Sequence, residues 1–157
     1  MEAGVEMAGI RIVQSIPKVE SYLELRRAVG WPLPDPGDAA LALAHSRLGF
    51  LVLTEERAIG MALVQGDGFL SFFIQDVIIH PDWQRRGLGT RLMDAVMDHI
   101  EKHARKTAYI GLFAGKGLER FYSRYGFIQR PTEAYGAGMF LMKGVVEGSK
   151  DGSPRRI

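Results

Sequence analysis

A chain of 157 residues and 17.4 kDa is one domain's worth of polypeptide, long enough to bury a core without disulfide or metal staples. With 46% hydrophobic and 24% charged residues it is too apolar to be intrinsically disordered. The absence of cysteine excludes disulfide scaffolds, thiolate metal sites and a cysteine nucleophile. The formal charge of +2 conceals a split, with residues 1–82 at −5, residues 83–142 at +5 and the remaining tail at +2.

No apolar run approaches the roughly 20 residues of a membrane span. The stretch Met1–Gly9 is acidic and lacks a signal-peptide core. A cytoplasmic protein with no membrane partner is therefore expected. The pI near 9.0 hints at nucleic acid, but the basic residues cluster no further than adjacent pairs such as Arg85-Arg86 and Arg155-Arg156. No nucleic-acid partner is expected.

In chain order, Ile10, Ile12 and Ser15 begin a short alternating strand. Pro17 opens a helix that Gly30 stops. Trp31-Pro-Leu-Pro-Asp-Pro-Gly37 reads as a loop, and Asp38 as the N-cap of a second helix, Ala39 to His45. Phe50–Thr54 and Ala58–Val64 form a hairpin turned at Glu55–Arg57, and Gly66-Asp67-Gly68 is the next tight turn. Phe69–Ile79 is almost continuously apolar, as in a central strand covered on both faces, and Pro81 ends it. Gly87–His103 carries Leu88, Leu92, Ala95, Val96 and Ile100 as one helical stripe. Thr107–Phe113 reads as a further buried strand and Ala114–Gly117 as a link. Leu118–Tyr125 is a short helix with Gly126 at C′. Phe127–Gln129 and Met139–Lys143 complete the set as short strands. Residues 1–9 and 144–157 are expected to be flexible, around a single domain over residues 10–143. There is no internal repeat. The order implies an α/β, layered α+β fold with a mixed sheet.

The chemistry concentrates where a buried strand ends, a short loop follows, and two glycines open the long helix. In Gln84-Arg85-Arg86-Gly87-Leu88-Gly89-Thr90 the glycines remove Cβ atoms where an anion must approach backbone. The first amides of a helix lack internal partners and sit at its positive end, which suits a pyrophosphate. Arg85, Arg86 and Arg91 add positive charge. A Walker loop fails, because Thr90-Arg91 stands where Lys-Ser/Thr is required. A dinucleotide fingerprint fails too, because Leu92 stands at its third glycine. The alternative is structural, with Gly87 and Gly89 merely allowing the helix to pack close to the sheet.

Gln84-Arg-Arg-Gly87-Leu-Gly89 resembles the Q/R-x-x-G-x-G/A signature of the GNAT superfamily of acyl-CoA-dependent N-acetyltransferases. Phe121-Tyr122-Ser-Arg-Tyr-Gly126-Phe127 resembles that family's second signature, and the element order matches over residues 10–143. The resemblance implies a mostly antiparallel sheet flanked by helices and splayed between its fourth and fifth strands. It implies acetyl-CoA as co-substrate, with its pyrophosphate on the amides of Arg85 to Thr90. Its pantetheine arm would lie along the strand edge at Val77, Ile78 and Ile79, with Phe121 nearby. Where the family often carries an asparagine that helps hold the pantetheine, this chain has Gly115, so the resemblance does not extend to that contact. No metal is implied.

Acetyl transfer to an amine requires a base for nitrogen and an acid for the leaving sulfur. Tyr122 matches the family's acid, and a phenol stays protonated at neutral pH. The alternative is an amphipathic core residue like its neighbours Phe121 and Tyr125. Asp76 is the one charged residue between Asp67 and Asp82, and a buried carboxylate is costly unless paired or functional. It reads as a general base of raised pKa, as an acceptor for backbone amides, or as the anchor of a water chain. Strand alternation puts it on one face with Ile78 and His80. His80 could relay a proton from the strand end. His99 and His103 share a helix face but lack a third ligand, and read as structural or solvent-facing. Met93, Met97, Met139 and Met142 read as core filler.

A small-molecule amine is the expected acceptor, with Tyr22–His45 as the specificity region and Trp31, Pro32, Leu33 and Pro34 as an apolar wall. Gly30-Trp31 with Pro34-Asp-Pro36, Leu41-Ala-Leu43 with Ser46, Gly66-Asp-Gly-Phe69, Asp76-Val77 and Gly138-Met139 look like the plant and cyanobacterial serotonin-type arylalkylamine acetyltransferases. That likeness implies an aromatic amine. A non-catalytic acyl-CoA-binding module is the rival reading, and a homodimer is compatible with either.

Overall fold

The computed structural model describes residues 9–55 and 57–144. The turn residue Glu56 and nearly all of both expected flexible ends fall outside that range. The chain forms two units, Met1–Phe113 and Ala114–Ile157.

The first unit contains β1 (Arg11–Gln14), α1 (Val19–Ala28), α2 (Pro36–Ala44), β2 (Leu48–Leu53), β3 (Ala58–Gln65), β4 (Ser71–Ile79), α3 (Leu88–His103) and β5 (Tyr109–Leu112). The strands form one sheet in the order β1-β2-β3-β4-β5. The first three pairings are antiparallel and β4–β5 is parallel. The expected mixed, mostly antiparallel sheet is present.

Register divides the sheet into two faces, because directly opposed residues share a side. Leu51, Met61, Leu63 and Ile78 pack with Tyr22 and Leu25 of α1 and Ala39 and Leu43 of α2 in one buried cluster. Val52, Ala62, Val64, Phe72 and Ile74 lie buried on the other face, toward α3, which contacts β2, β3 and β4. Leu88, Leu92, Met93, Val96 and Ile100 are the buried stripe of α3. Ala95 is only half-buried and Met93 takes its expected place in the core.

The structure corrects several expected boundaries. The second helix begins at Pro36, and its cap is Asp35, whose carboxylate accepts from the Gly37 amide at 2.8 Å. Proline is favoured at a first helical position, where its missing N–H costs nothing, so the helix starts earlier than Asp38 implies. The fourth strand begins at Ser71, and Phe69 and Leu70 are exposed. The Asp67 carboxylate accepts from the amides of Phe69, Leu70 and Ser71 at 2.7, 2.7 and 3.0 Å, holding them in the turn. The strand expected as buried at Thr107–Phe113 is short, with Tyr109 and Phe113 exposed, because β5 ends the sheet.

The second unit holds α4 (Glu119–Ser123), shorter than expected, followed by Gly126 at φ +86°. No strand forms at Phe127–Gln129 or Met139–Lys143. The intervening chain turns instead: the Thr132 hydroxyl accepts from the amides of Ala134 and Tyr135, and the Thr132 amide donates to the Tyr135 carbonyl. Met139 and Met142 are exposed rather than core filler.

Candidate functional site

The strand that carries Asp76 is not regular. Leu63 opposes Gln75 and Met61 opposes Ile78, so three steps along β4 match two along β3. The surplus residue is a β-bulge, and Asp76 adopts φ +51° within it. Ile74 and Ile78 therefore lie on opposite faces although they are four apart. Asp76 and Ile78 do share a face, as alternation implied, and it is the face that α1 covers.

The parallel ladder ends just before the bulge. β4 and β5 pair from Ser71↔Tyr109 to Ile74↔Leu112. Beyond that point Gln75–Ile79 keeps β3 on one side, and no strand among the described residues pairs with its other edge. Val77 and Ile79 are half-buried along this open edge, while Ile78 is fully buried against the α1–α2 layer. The backbone polar groups of that edge can accept an extended ligand as a strand would.

From the open edge the chain passes through a single 3-10 turn, Pro81–Trp83, into α3. His80 caps that turn, its Nδ1 accepting from the Asp82 amide at 3.3 Å. The Gln84 side chain donates to the Ile79 carbonyl at 2.9 Å, tying the loop to the strand end. The Arg86 guanidinium donates to the Asp82 carbonyl at 3.1 Å and lies 5.0 Å from the Trp83 ring. Arg85 at φ +58° and Gly87 at φ +74° are both left-handed, with half-buried Gly89 and Thr90 in the first turn beyond. Gly87 is the N-cap of α3, and neither a side-chain cap nor an acidic residue occupies its first turn. The helix runs 16 residues, so its amino end carries a full share of positive potential. An ideal Cβ on Gly87 would meet nothing within 4 Å. The glycine is needed for its backbone angle and not for space.

Among the described residues, Asp76 and Arg85 are the non-glycine positions with positive φ. Such angles cost of order 1–3 kcal/mol and persist where the surroundings impose them. They mark the two places where strand and loop depart from regular geometry.

Asp76 is half-buried with its side chain 8% exposed, and pairs with Nη1 of Arg26. Burial pushes its carboxyl above the usual range, and the Arg26 guanidinium pulls in the opposite direction. Tyr22, one turn before Arg26, is raised by burial and by the Asp76 charge, with Arg26 opposing. Arg26 and Tyr22 are the functional candidates that sequence reading missed. Their spacing of four places them on one helix face, but the partner lies 50 residues away in sequence.

In the second unit, Tyr122 is buried and meets the rings of Phe121 and Phe127 edge-on at 5.0 and 6.3 Å. Burial raises its phenol above the usual 10, which leaves it a proton donor at neutral pH. Half-buried Phe121 also packs against Tyr125, and the Arg124 guanidinium lies 5.0 Å from its ring. His103 stacks on His99 at 4.1 Å, and its Nδ1 donates to the His99 carbonyl at 2.7 Å.

A mixed sheet opens at a bulge, next to a left-handed turn feeding an uncapped helix, and the backbone groups of that edge and helix end are of the kind that can accept an elongated anionic ligand. Residues 39–143 match the family model described as an acetyltransferase (GNAT) domain. The chain belongs to the GNAT acetyltransferase family.

It is 31% identical over 117 residues to an uncharacterized N-acetyltransferase, ycf52, of Porphyra purpurea, covering 72% of this chain and 66% of that one. It is 26% identical over 121 residues to the chloroplastic serotonin N-acetyltransferase 2 of Oryza sativa subsp. japonica, covering 74% and 60%. This chain thus spans less than two thirds of those relatives' lengths. A GNAT family acetyltransferase from Streptococcus pneumoniae superposes with a TM-score of 0.70 at 29% identity, covering 86% of this chain and 99% of that one.

Proposed function

We propose that the protein is an acetyl-CoA-dependent N-acetyltransferase that moves an acetyl group directly to a primary amine. The observation that carries this reading is the turn from Arg85 to Thr90. Two left-handed residues aim the first amides of a 16-residue helix outward, with no acidic side chain in its first turn. Those amides suit the pyrophosphate of CoA, and Arg85, Arg86 and Arg91 stand beside them. The open β4 edge at Val77–Ile79 suits the pantetheine amides.

In this reading the amine nitrogen attacks the thioester carbonyl carbon. The new C–N bond forms as the C–S bond breaks. The nitrogen's surplus proton passes to Asp76, or to a water that Asp76 orders. The Tyr122 phenol gives its proton to the departing sulfur, so the products are an amide and free CoA thiol. Burial of both groups supports the roles, since it raises Asp76 toward the pKa of a useful base and keeps Tyr122 protonated.

The acceptor we favour has an aromatic body. Trp31 and Leu33 are exposed, the Trp31 ring lies 5.4 Å from the Arg26 guanidinium that pairs with Asp76, and one relative is named a serotonin N-acetyltransferase.

A panel of aromatic and aliphatic amines with acetyl-CoA, read by thiol release, tests the reaction. The expected result is turnover with at least one amine, and a Gly89→Trp variant that no longer binds CoA. Tight CoA binding without turnover across the panel would favour a non-catalytic binding module. Unchanged CoA binding in Gly89→Trp would remove the helix-terminus assignment.

A further inference from the structure

Arg26 uses both ends of its guanidinium. Nη1 meets the Asp76 carboxylate. Nε and Nη2, on the opposite edge, both donate to the Pro32 carbonyl, at 3.1 and 2.9 Å. The rings of Tyr22 and Trp31 each lie 5.4 Å from Cζ. The end of α1 makes this possible. Gly30 at φ +73° turns the chain, its amide donating to the Arg27 carbonyl and the Trp31 amide donating to the Arg26 carbonyl, each at 3.0 Å. That Schellman closure folds Trp31 and Pro32 back over the side chain of Arg26 in the helix's last turn.

We propose that Arg26 is a positioning residue that joins the Asp76 carboxylate to the Trp31–Pro32 wall, so that one guanidinium fixes both the base and the surface against which the acceptor rests. The inference rests on the reading of Asp76 as the base. It adds that the state of Asp76 and the seating of the wall are coupled. It also bears on acceptor choice. Because Arg26 neutralises Asp76 at contact distance, the carboxylate offers little net attraction to an ammonium group, and discrimination falls to the aromatic wall. Lysine cannot replace this arrangement, since a point charge has no planar fork to hold two acceptors on opposite edges.

The charged group that acts on Asp76 within this unit is Arg26 of α1, and Tyr22 of the same helix feels the Asp76 charge in turn. Across the bulge, β3 presents Met61, Ala62 and Leu63, which carry no charge. Asp76 must be ionised to accept a proton, so activity rises as pH rises through its pKa. Arg26 holds that pKa down. Removing the guanidinium moves the acid limb of kcat/KM to higher pH.

The test compares wild type, Arg26→Lys and Arg26→Gln, with urea melts to establish the folded fraction. With the best amine of the panel, Arg26→Gln is expected to shift the acid limb upward and to raise acceptor KM by about tenfold, the scale of a lost charged hydrogen bond. Arg26→Lys is expected to leave the acid limb near wild type while KM rises similarly, because charge is retained and the wall is released. A second readout needs no turnover. In a Trp83→Phe background Trp31 is the remaining tryptophan of the two, and its emission is followed against pH. A transition is expected in the parent that is lost in both Asp76→Asn and Arg26→Gln. An unshifted acid limb in Arg26→Gln, or a Trp31 transition that survives it, would overturn the proposal. If Asp76→Asn kept full turnover, the base assignment would fall, and the Trp31 titration would still decide the role of Arg26.

Discussion

Replacing Gly87 by alanine isolates the backbone's contribution to the anion cradle. Gly87 sits at φ +74°, and a Cβ there would touch nothing within 4 Å, so the change introduces strain without collision. Holding an L-residue in the left-handed region costs roughly 1–2 kcal/mol. Reduced freedom of the unfolded chain returns about 0.5 kcal/mol of that. The expected net loss is about 1 kcal/mol, or roughly 2–4 °C in Tm for a chain of this size. Asparagine tolerates left-handed angles and caps helices well, so Gly87→Asn should lose less than half as much. Urea denaturation of the three proteins measures the stabilities, and titration calorimetry with CoA measures binding. If the strain relaxes by rotating φ, the amides beyond Gly87 swing out of aim and CoA affinity falls with stability. An alanine variant as stable as wild type, or an asparagine variant as damaged as alanine, would refute the conformational argument. A destabilised alanine variant with unchanged CoA affinity would mean that the left-handed angle is held and its strain is carried as lost stability.

Leu92 is fully buried on the α3 stripe, and Leu92→Ala should cost about 2–5 kcal/mol, read as a shifted urea midpoint with CoA binding retained in the folded fraction. Asp67 is lowered from 3.8 to about 2 by the amides of Phe69, Ser71 and Leu70. A depressed carboxyl stabilises fully above its unfolded value and loses that contribution as pH falls through about 2. Asp67→Asn should therefore be less stable than wild type at neutral pH, with thermal melts converging as the pH is lowered from about 4 to about 2. Tyr122→Phe should leave CoA affinity unchanged and lower kcat by about 10²–10⁴-fold. Full turnover in that variant would remove the acid assignment.

Helix positions and stops were legible in the sequence because they are local. Gly30 closes α1, Gly126 follows α4, and the spacing of Leu88, Leu92, Val96 and Ile100 fixes the buried side of α3 without reference to anything else. The turn at Gln84–Thr90 was legible for the same reason, since its glycines and the helix start they precede are features of consecutive residues. The resemblance to an acetyltransferase family rests on that segment and on Phe121–Phe127, and the family match over residues 39–143 agrees with it.

Other features depend on where distant segments meet. No pattern in Phe69–Ile79 announces an extra residue in β4, because a bulge is defined by the mismatch with β3. The bulge nonetheless falls where β5 stops pairing and the edge of β4 is left open. The unusual position of Asp76 was visible as a lone charge in an apolar run, but its partner was not. Arg26 looks like an ordinary charged residue near a helix end, and only the packing of α1 on the sheet brings it to Asp76. The strands expected at Phe127–Gln129 and Met139–Lys143 failed for the complementary reason. An apolar segment becomes a strand only when another backbone supplies its hydrogen bonds, and no described strand pairs with either segment. Sequence alone determined the helix stops and the glycine-marked turn into α3. Tertiary structure decided which charges pair and which backbone edge stays open, because both are properties of segments that the chain itself holds far apart.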